Sequence, residues 1–438
     1  MSQSNVKALL SAAISSVANK IGNYSVSPGH DFTRNRCLPP EMLLSFLLTE
    51  GSSSTKNELF DFYGPSQKVS ASALNQQRGK LKHEALYAVL SEFNRSLPTS
   101  DSKYHYIAAD GSTATYFSTP KFSDDDYYYS PGPSVKGAYS MHVNAFYDLI
   151  SHRYTDVVIQ PVHQKDEYKA FCTIVDRHPV TNNTKNIYMG DRGYCSYNNM
   201  AHVIESGQYF LFRAKDVSSK GIVSGFGISP DKPYDGWVST TLTRTHNRNV
   251  FDAKTCRFIC KNISFDYIEQ DSYQTYPISF RIVRFELSTS SYECILTNLP
   301  EDEFPPDKIK ELYNLRWGIE SSFRQLKYTV GLSNFHSYKP EFIKQEILAK
   351  IILYNATEAI IQCVAVQHSE TTKHGYKVNF AYAVHICRIF LRYTTKEGSM
   401  DVSTIISKEL VPIRNNRKYP RLQTAHFRRP RYFIYRAS

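Results

Sequence analysis

The order of strands and helices between residues 104 and 215 constrains the fold of this chain more than any other feature. Alternating apolar residues predict five strands, at 104–110, 139–149, 154–159, 186–190 and 209–215. Apolar residues at helical spacing predict two helices, at 164–176 and 197–205. The resulting order is three strands, a helix, a strand, a helix and a strand. This order is typical of an α/β fold in which helices flank a mixed sheet.

The segments on either side have a different character. The first hundred residues are predicted to be helical: an apolar run follows Pro39 and Pro40, a second helix runs from Thr55 to Phe62, and Ser70 or Ser72 caps a third. Short helices and tight turns suit a helix-turn-helix DNA reader or a plain helical bundle. Residues 216–299 are rich in threonine, serine and aromatic residues and are interpreted as a separate β-rich insertion.

Helical periodicity returns after Pro305, with long segments at 307–328 and 341–367. These changes predict five regions. They are a helical DNA-binding domain (1–98), the first part of a catalytic core (99–215), the insertion (216–299), the second part of the core (300–367) and a helical C-terminal region with a basic tail (368–438).

The charge balance indicates a polyanionic partner. The formal net charge is +11 at pH 7 and the isoelectric point is near 9.0. A chain that is merely basic is the alternative. Eight scattered cysteines form no disulfide framework or zinc motif, and neither a signal peptide nor a membrane-spanning run is predicted. We therefore expect a cytoplasmic protein that acts on DNA.

The helix predicted around residues 312–327 has two faces, because each helical residue turns roughly 100° about the axis. The apolar stripe consists of Leu312, Leu315, Ile319, Phe323, Leu326 and Val330. A polar stripe consists of Tyr313, Arg316, Glu320 and Lys327, with Arg324 at its edge. A carboxylate among cations suits a phosphodiester, since carboxylates bind Mg²⁺ and cations bind phosphate. A solvated face in which Glu320 pairs with Arg316 and Arg324 is the alternative.

One carboxylate is too few for a two-metal site, so other acids are required. Asp110 and Asp191 each follow an apolar strand and precede a glycine, and strand ends are rigid platforms for catalytic groups. An Asx turn that closes a strand is the alternative reading of each aspartate.

At this point the sequence resembles the insertion-sequence-four family of bacterial DDE transposases. Its motif, Tyr-x2-Arg-x3-Glu-x6-Lys, is filled by Tyr313, Arg316, Glu320 and Lys327. The resemblance implies that Asp110, Asp191 and Glu320 are the three catalytic, metal-binding acids, with Mg²⁺ as the cofactor and Mn²⁺ as a substitute. It also implies a ribonuclease-H-like core with the β insertion between the second aspartate and the glutamate.

The resemblance further implies cut-and-paste transposition, with the terminal inverted repeats and target DNA as partners. A dimer on DNA, each subunit binding one end and cutting the other, and a monomer in free solution are expected. We expect Tyr313, Arg316, Arg324 and Lys327 to face the DNA and Trp237 to stack on a flipped base. A catalytically silent DNA-binding relative, a structure-selective nuclease of the same fold and a glycosidase with a carboxylate pair are the alternatives.

Overall fold

The structure is a computed structural model that describes residues 2–34, 37–66, 68–99, 102–130, 137–180, 184–247, 249–288, 291–364, 375–392 and 400–413. The N-terminal part is helical, as predicted. Its helices are α1 (Gln3–Asn19), α2 (Pro40–Thr49), α3 (Thr55–Tyr63), α4 (Ala71–Arg78) and α5 (Glu84–Ser96). The hydroxyl of Ser70 accepts the Ala73 amide and caps α4, which settles the choice between Ser70 and Ser72.

The central region is a mixed sheet flanked by helices. Its elements are β1 (Tyr104–Tyr116), β2 (Tyr128–Tyr129), β3 (Ala138–Asp148), β4 (Arg153–Pro161), α6 (Glu167–Arg177), β5 (Lys185–Gly190), α7 (Tyr197–Glu205) and β6 (Tyr209–Ala214). The five long strands lie in the order β4-β3-β1-β5-β6. The first three are antiparallel, whereas β5 and β6 run parallel to β1. This is the ribonuclease-H-like arrangement, and the predicted fold class is confirmed.

The β-rich segment continues this sheet instead of forming a sheet of its own. It contains β7 (Tyr234–Thr243), β8 (Cys256–Phe258), β9 (Thr275–Ser288) and β10 (Ser291–Thr297). Strand β10 pairs antiparallel with β6, and β9, β7 and β8 follow outward. The two guanidinium groups of Arg281 and Arg284 are buried beside Asp235 and Asp216, which joins β9 to β7 and to the loop after β6.

The remaining helices pack against the core. They are α8 (Pro306–Leu315), α9 (Trp317–Gln325), α10 (Pro340–Ile361), α11 (Phe380–Arg392) and α12 (Val402–Ser407), with a small pair of strands β11 (Tyr376–Val378) and β12 (Leu410–Pro412). Helix α10 ends at Ile361, earlier than the expected 367. In the described ranges, no helix has the length and apolarity that crossing a bilayer requires. The basic residues of the predicted tail, from Arg414 onward, lie outside the described residues.

Successive side chains along the strands point to opposite faces of the sheet and pack into two separate apolar cores, one on each face. Ala108, Ile187 and Met189 pack into the core shared with the N-terminal helices and α10. Ile107, Ala109 and Tyr188 pack into the core beneath α6 and α7. Because side chains in a strand alternate between faces, Asp110 shares the face of Ala108. The same parity, continued past the strand end, places Asp191 on the face of Met189.

A buried acid near the C-terminal end of α10 makes stability depend on pH. Burial raises the pKa of Glu358 to about 7 from its ordinary 4.5, although a hydrogen bond with Tyr354 and the charge of Lys377 oppose the shift. A pKa raised by folding means that wild-type stability is lost as pH rises from about 4.5 through 7. We expect the stability advantage of Glu358→Gln over wild type to grow by about 2 kcal/mol between pH 5 and pH 7.5, measured by urea unfolding.

The exposed exchange Glu311→Gln on α8 is the matched control for Glu358→Gln. Its stability relative to wild type should not follow this pH profile. A Glu358→Gln advantage that is the same at both pH values would contradict a buried, neutral Glu358.

Candidate active site

The pairing of β1 with β5 brings the two predicted aspartates to neighbouring positions. The strands are parallel, and Ala108 lies opposite Met189 in their register. Asp110 and Asp191 each lie two residues further along. Neighbouring strands are about 4.8 Å apart, so the backbones at these two positions are close although 81 residues separate them in the sequence.

The sequence-based interpretation of Asp110-Gly111 as the end of a strand is wrong. Strand β1 continues to Tyr116, and Gly111 pairs with Asn144 of β3. The glycine serves a different purpose, because a Cβ atom there would lie 2.4 Å from Nε2 of His142 and 2.7 Å from Oε1 of Glu167. Gly111 therefore provides the space into which these two side chains reach.

Both aspartates are anchored by backbone amides. The amide of Gly111 donates to Oδ1 of Asp110 at 2.8 Å, and the amide of Gly193 donates to Oδ1 of Asp191 at 2.7 Å. The bond at Asp191 spans two residues, as in the Asx turn considered above. An anchored Oδ1 restricts the rotation of each carboxylate while Oδ2 keeps its own acceptor capacity.

Helix α9 carries Glu320 over the sheet. Gly318 permits this close packing, since a Cβ atom there would lie 2.9 Å from Cδ2 of Leu149. Two residues beyond the acid, Oγ of Ser322 lies 2.9 Å from the hydroxyl of Tyr154 and links the helix to β4. Glu320 is therefore fixed from both sides on the same face of the sheet as Asp110.

The charges of the other two acids act on Asp110. Burial, together with the smaller repulsion from Asp191 and Glu320, raises the pKa of Asp110 to about 6 against the opposing effects of the Gly111 amide and Arg316. Among the described residues, the carboxylate oxygens of these three acids do not all lie within 4.8 Å of one another. The carboxylates are therefore more widely spaced than a set of ligands around one ion, as repulsion between like charges predicts. A set of carboxylates fits a divalent cation, which would bring the charges into balance.

Arg316 and Tyr313 are buried, which corrects the prediction that they lie on an open polar edge. Their residues are 5% and 3% exposed. Nη2 of Arg316 donates to Oε1 of Glu320 at 2.9 Å, as the alternative reading of this helix proposed. The helix breaks here into α8 and α9, which turns Leu315 outward and leaves it 45% exposed. Arg316 thus compensates the acids from inside the protein.

Lys327 and Arg324 are more accessible than Arg316. Lys327 lies in a π-helical turn, Leu326–Val330, that ends at Gly331 with φ +99°. Burial lowers the pKa of Lys327, and the charge of Asp110 opposes that shift. Lys327 therefore lies within electrostatic reach of the first aspartate. The side chain of Arg324 is exposed on α9.

Trp237 lies on β7 opposite Arg281 and is 46% exposed. A tryptophan ring this exposed is not part of the core of the β segment. The second tryptophan, Trp317, is 47% exposed beside Arg316, whose guanidinium lies 5.3 Å from its ring centroid. Stacking of either ring on DNA stays a prediction.

Four residues close to the acids were not singled out from the sequence. Nε2 of His142 lies 2.9 Å from Oε1 of Glu167, and Nζ of Lys165 lies 3.0 Å from the same oxygen. Contact with His142 and Lys165 lowers the pKa of Glu167 to about 2, so the carboxylate is ionised. Tyr194 is 3% exposed, and its hydroxyl has no hydrogen-bond partner among the described residues. No local sequence pattern links these residues to the aspartates.

Three other groups of described residues have ligand atoms within 4.8 Å of one another. They are Cys172, His202 and Asp266; Glu50, His336 and Glu346; and His83, Glu84 and Glu341. In the second group, Glu346 also binds Arg78 at 3.1 Å, which joins α4 to α10. In the first, His202 lies between the carboxylates of Asp176 and Asp266. Ion pairs thus account for these contacts.

Comparison with known families agrees with this geometry. The family model described as "Transposase DDE domain" matches residues 101–356, more than half of the chain and the whole span from Asp110 to Glu320. The chain therefore belongs to the family of transposase DDE domains, whose members use divalent metal ions.

The chain is also similar to individual transposases. It is 35% identical over 83 residues to the putative transposase InsL for insertion sequence element IS186A of Escherichia coli (strain K12), over 19% of this chain and 22% of that protein. It is 26% identical over 141 residues to the transposase InsG for insertion sequence element IS4 of the same strain, over 29% of this chain and 31% of that protein. The chain therefore spans less than a third of the length of these relatives.

One similar solved structure is a "piggyBac transposase synaptic complex with hairpin DNA". It aligns over 84% of this chain and 74% of that chain with 10% identity and a TM-score of 0.42. A score this low does not establish the fold, which is defined here by the strand order.

The space at Gly111 gives a direct test of the packing around the aspartates. Gly111→Ala would force its new methyl group against His142 and Glu167, so we expect a loss of about 1–3 kcal/mol in the free energy of unfolding. Gly22→Ala is the control, because nothing lies within 4 Å of a Cβ atom there. Urea unfolding followed by circular dichroism measures both, and equal stabilities of the two variants would contradict the packing described.

Proposed function

We propose that this protein is a DNA transposase that moves an insertion sequence by cut-and-paste transposition, through phosphodiester hydrolysis followed by strand transfer. The observation that carries the proposal is the juxtaposition of Asp110, Asp191 and Glu320 on one face of a ribonuclease-H-like sheet within a transposase DDE domain. These three acids are proposed as the catalytic, metal-binding residues.

We propose Mg²⁺ as the cofactor, with Mn²⁺ as a substitute. Asp110, Asp191 and Glu320 would hold it through carboxylate oxygens, which Mg²⁺ prefers. When bound, such ions activate a water or a 3′-hydroxyl and neutralise the charge that develops on the phosphate. The chain's own contribution is to fix the carboxylates, through the amides of Gly111 and Gly193 and through α9.

Arg316 is proposed to orient Glu320 and to offset the negative charge of the three acids. Its guanidinium is held between Glu320 and the ring of Tyr313, and its charge reaches Asp110. A buried cation next to buried acids lowers the cost of placing them out of water. Tyr313 is therefore proposed to act through Arg316. Because both side chains are buried, DNA would contact them only where it enters the site beneath the exposed surface of the helix.

Phosphate contacts are proposed for Lys327 and Arg324, which lie further along the same helix and are more accessible. Trp237 is proposed to stack on a base flipped from the transposon end, because its ring is exposed on a strand of the sheet that continues from the core. In the hairpin route of cleavage, the freed 3′-hydroxyl attacks the opposite strand and closes the transposon end into a hairpin. Stacking on Trp237 would stabilise a base that is flipped out of this hairpin.

The proposed partners are the terminal inverted repeats and target DNA. Two ends must be brought together, so we propose a dimer on DNA and a monomer in free solution, where the charge of +11 keeps subunits apart. The basic tail adds positive charge for a second duplex or a subunit contact. We propose that the enzyme acts in the bacterial cytoplasm, on the nucleoid when DNA-bound.

Loss of one acid should abolish catalysis without abolishing DNA binding. Asp110→Asn, Asp191→Asn and Glu320→Gln should each reduce Mg²⁺-dependent nicking of a supercoiled plasmid about a thousandfold or more, since each removes several kcal/mol of transition-state stabilisation. Glu311→Gln, an exposed exchange on α8, is the matched control and should keep full activity.

Joined products distinguish the alternatives. Wild type should give strand-transfer products with DNA that bears the element's ends, whereas a nuclease gives cleavage only and a silent DNA-binding relative gives neither. Full activity in all three acid variants would refute the site.

A phosphate contact by Lys327 should be visible in the salt dependence of DNA binding. Lys327→Ala should weaken binding at low salt and reduce the slope of log K against log salt by about one. Lys261→Ala is the control, because Lys261 is exposed in the β segment and pairs with Asp271. Fluorescence anisotropy at several salt concentrations measures both, and parallel lines for wild type and Lys327→Ala would exclude the contact.

A further inference from the structure

A fourth carboxylate, that of Glu167, lies beside the aspartates but comes from a different element. Glu167 is in the first turn of α6, directly after the N-cap residue Asp166. Its carboxylate lies near the glycine that comes after each aspartate: Oε1 is 2.7 Å from a Cβ position on Gly111, and Oε2 is 3.8 Å from one on Gly193. The carboxylate is therefore close to both aspartate-bearing segments.

The two oxygens of Glu167 have different surroundings. Oε1 is held by Nε2 of His142 at 2.9 Å and Nζ of Lys165 at 3.0 Å. Oε2 faces Gly193, where Oδ1 of Asp191 lies 2.9 Å from the same Cβ position. His142 is 2% exposed and is therefore a fixed anchor. One oxygen is thus held by His142 and Lys165, while the other lies near the backbone of Gly193, next to the segment that carries Asp191.

A buried, unpartnered hydroxyl points to a ligand in the same place. Tyr194 is 3% exposed, and no group of the described residues pairs with its hydroxyl. The backbone amide of Tyr194 donates to the carbonyl oxygen of Asp191 at 3.0 Å, so the residue is held beside the second aspartate. Burial, followed by the charges of Glu167, Asp110 and Asp191, raises the pKa of Tyr194 well above its ordinary value. An unpaired buried donor costs free energy, and a ligand held by these acids would supply the missing acceptor.

A purely structural role for Glu167 explains only part of this arrangement. An acid in the first turn stabilises a helix through its dipole, and that role needs neither His142 nor the two glycines. A structural ion pair with His142 accounts for the position of Oε1 and does not require Oε2 to lie near Gly193. Carboxylates gathered in one region repel one another and are stabilised by a cation among them.

We infer that Glu167 is a fourth metal-binding carboxylate of the site, which holds a divalent cation together with Asp191, and that His142 is the positioning residue that fixes its orientation. This inference rests on the proposed function, since the cation is the one that the three acids are proposed to bind. Tyr194 would donate its hydroxyl hydrogen to a water or phosphate oxygen held there.

Binding of Mn²⁺ to the full-length protein without DNA tests the inference with a readout other than activity. Free Mn²⁺ is measured by electron paramagnetic resonance during a titration. Glu167→Gln, which removes the charge and keeps the size, should weaken Mn²⁺ binding about tenfold or more, the range expected when a metal site loses a supporting carboxylate. Asp176→Asn removes one charge from the same helix at its other end and should leave the affinity unchanged.

Two further variants separate the possible failures. If Asp110→Asn weakens Mn²⁺ binding but Glu167→Gln does not, the fourth carboxylate is refuted and the proposed active site stands. If neither weakens it, the metal centre of the proposed function itself fails. If Glu167→Gln does not fold, Glu167→Asp replaces it. Aspartate keeps the negative charge at the start of α6, but its shorter side chain moves the carboxylate oxygens away from the metal. Wild-type Mn²⁺ affinity in Glu167→Asp would overturn the inference.

Cleavage of the wild-type backbone by bound Fe²⁺ gives a second readout that requires no variant. Hydroxyl radicals cut the chain next to the ion, so we expect cuts near residue 167 as well as near 110 and 191. Cuts near 110 and 191 without any near 167 would overturn the inference.

Discussion

The parallel pairing of β1 with β5 is the interaction on which the rest of the site depends. It joins two segments that are far apart in the sequence and fixes their register, so that Asp110 and Asp191 become neighbours. The alternation of side chains then sends both acids to the same face. A shift of one residue in either strand would turn its side chains to the opposite face and separate the carboxylates. The buried apolar side chains on both faces of the sheet hold the register in place.

The cost of gathering negative charge is offset by groups that are themselves buried. Arg316 lies between Glu320 and the aromatic ring of Tyr313, and Nε2 of His142, on β3, lies 2.9 Å from Oε1 of Glu167. The N-terminal helices are joined to the core in the same manner, since Arg78 is 2% exposed and donates to Gln345, Glu346 and the carbonyl of Phe342. Removing one partner of such a pair leaves an uncompensated charge inside the protein, which lowers the stability of the fold. Each of these contacts therefore requires its particular partner.

The sequence was informative wherever periodicity and burial agree. Helix α7 was predicted with its observed bounds, and each of the five core strands overlaps its predicted segment, because these elements pack on an apolar core and repeat with a clear period. The motif around Glu320 was found because four polar residues recur at helical spacing.

The errors arose where tertiary context overrides a local pattern. Asp110-Gly111 resembles a turn, yet the glycine is needed mid-strand to admit two side chains from elsewhere in the fold. A β-rich composition does not indicate which sheet its strands join, so residues 216–299 were interpreted as separate. The helix breaks at Arg316, and α9 has a different orientation about its axis from α8. Regular helical spacing therefore predicted an exposed position for Tyr313 and Arg316, which are buried. No local pattern links Glu167 to the aspartates, since the relation exists only in three dimensions.

Asp110 on β1, Asp191 directly after β5 and Glu320 on α9 are proposed to form the metal centre. Diffraction at the manganese absorption edge, from crystals of the full-length protein grown with Mn²⁺, tests it most directly. The account predicts anomalous density next to the carboxylates of Asp110 and Asp191. Density confined to the group of Glu50, His336 and Glu346, or to that of Cys172, His202 and Asp266, would contradict it.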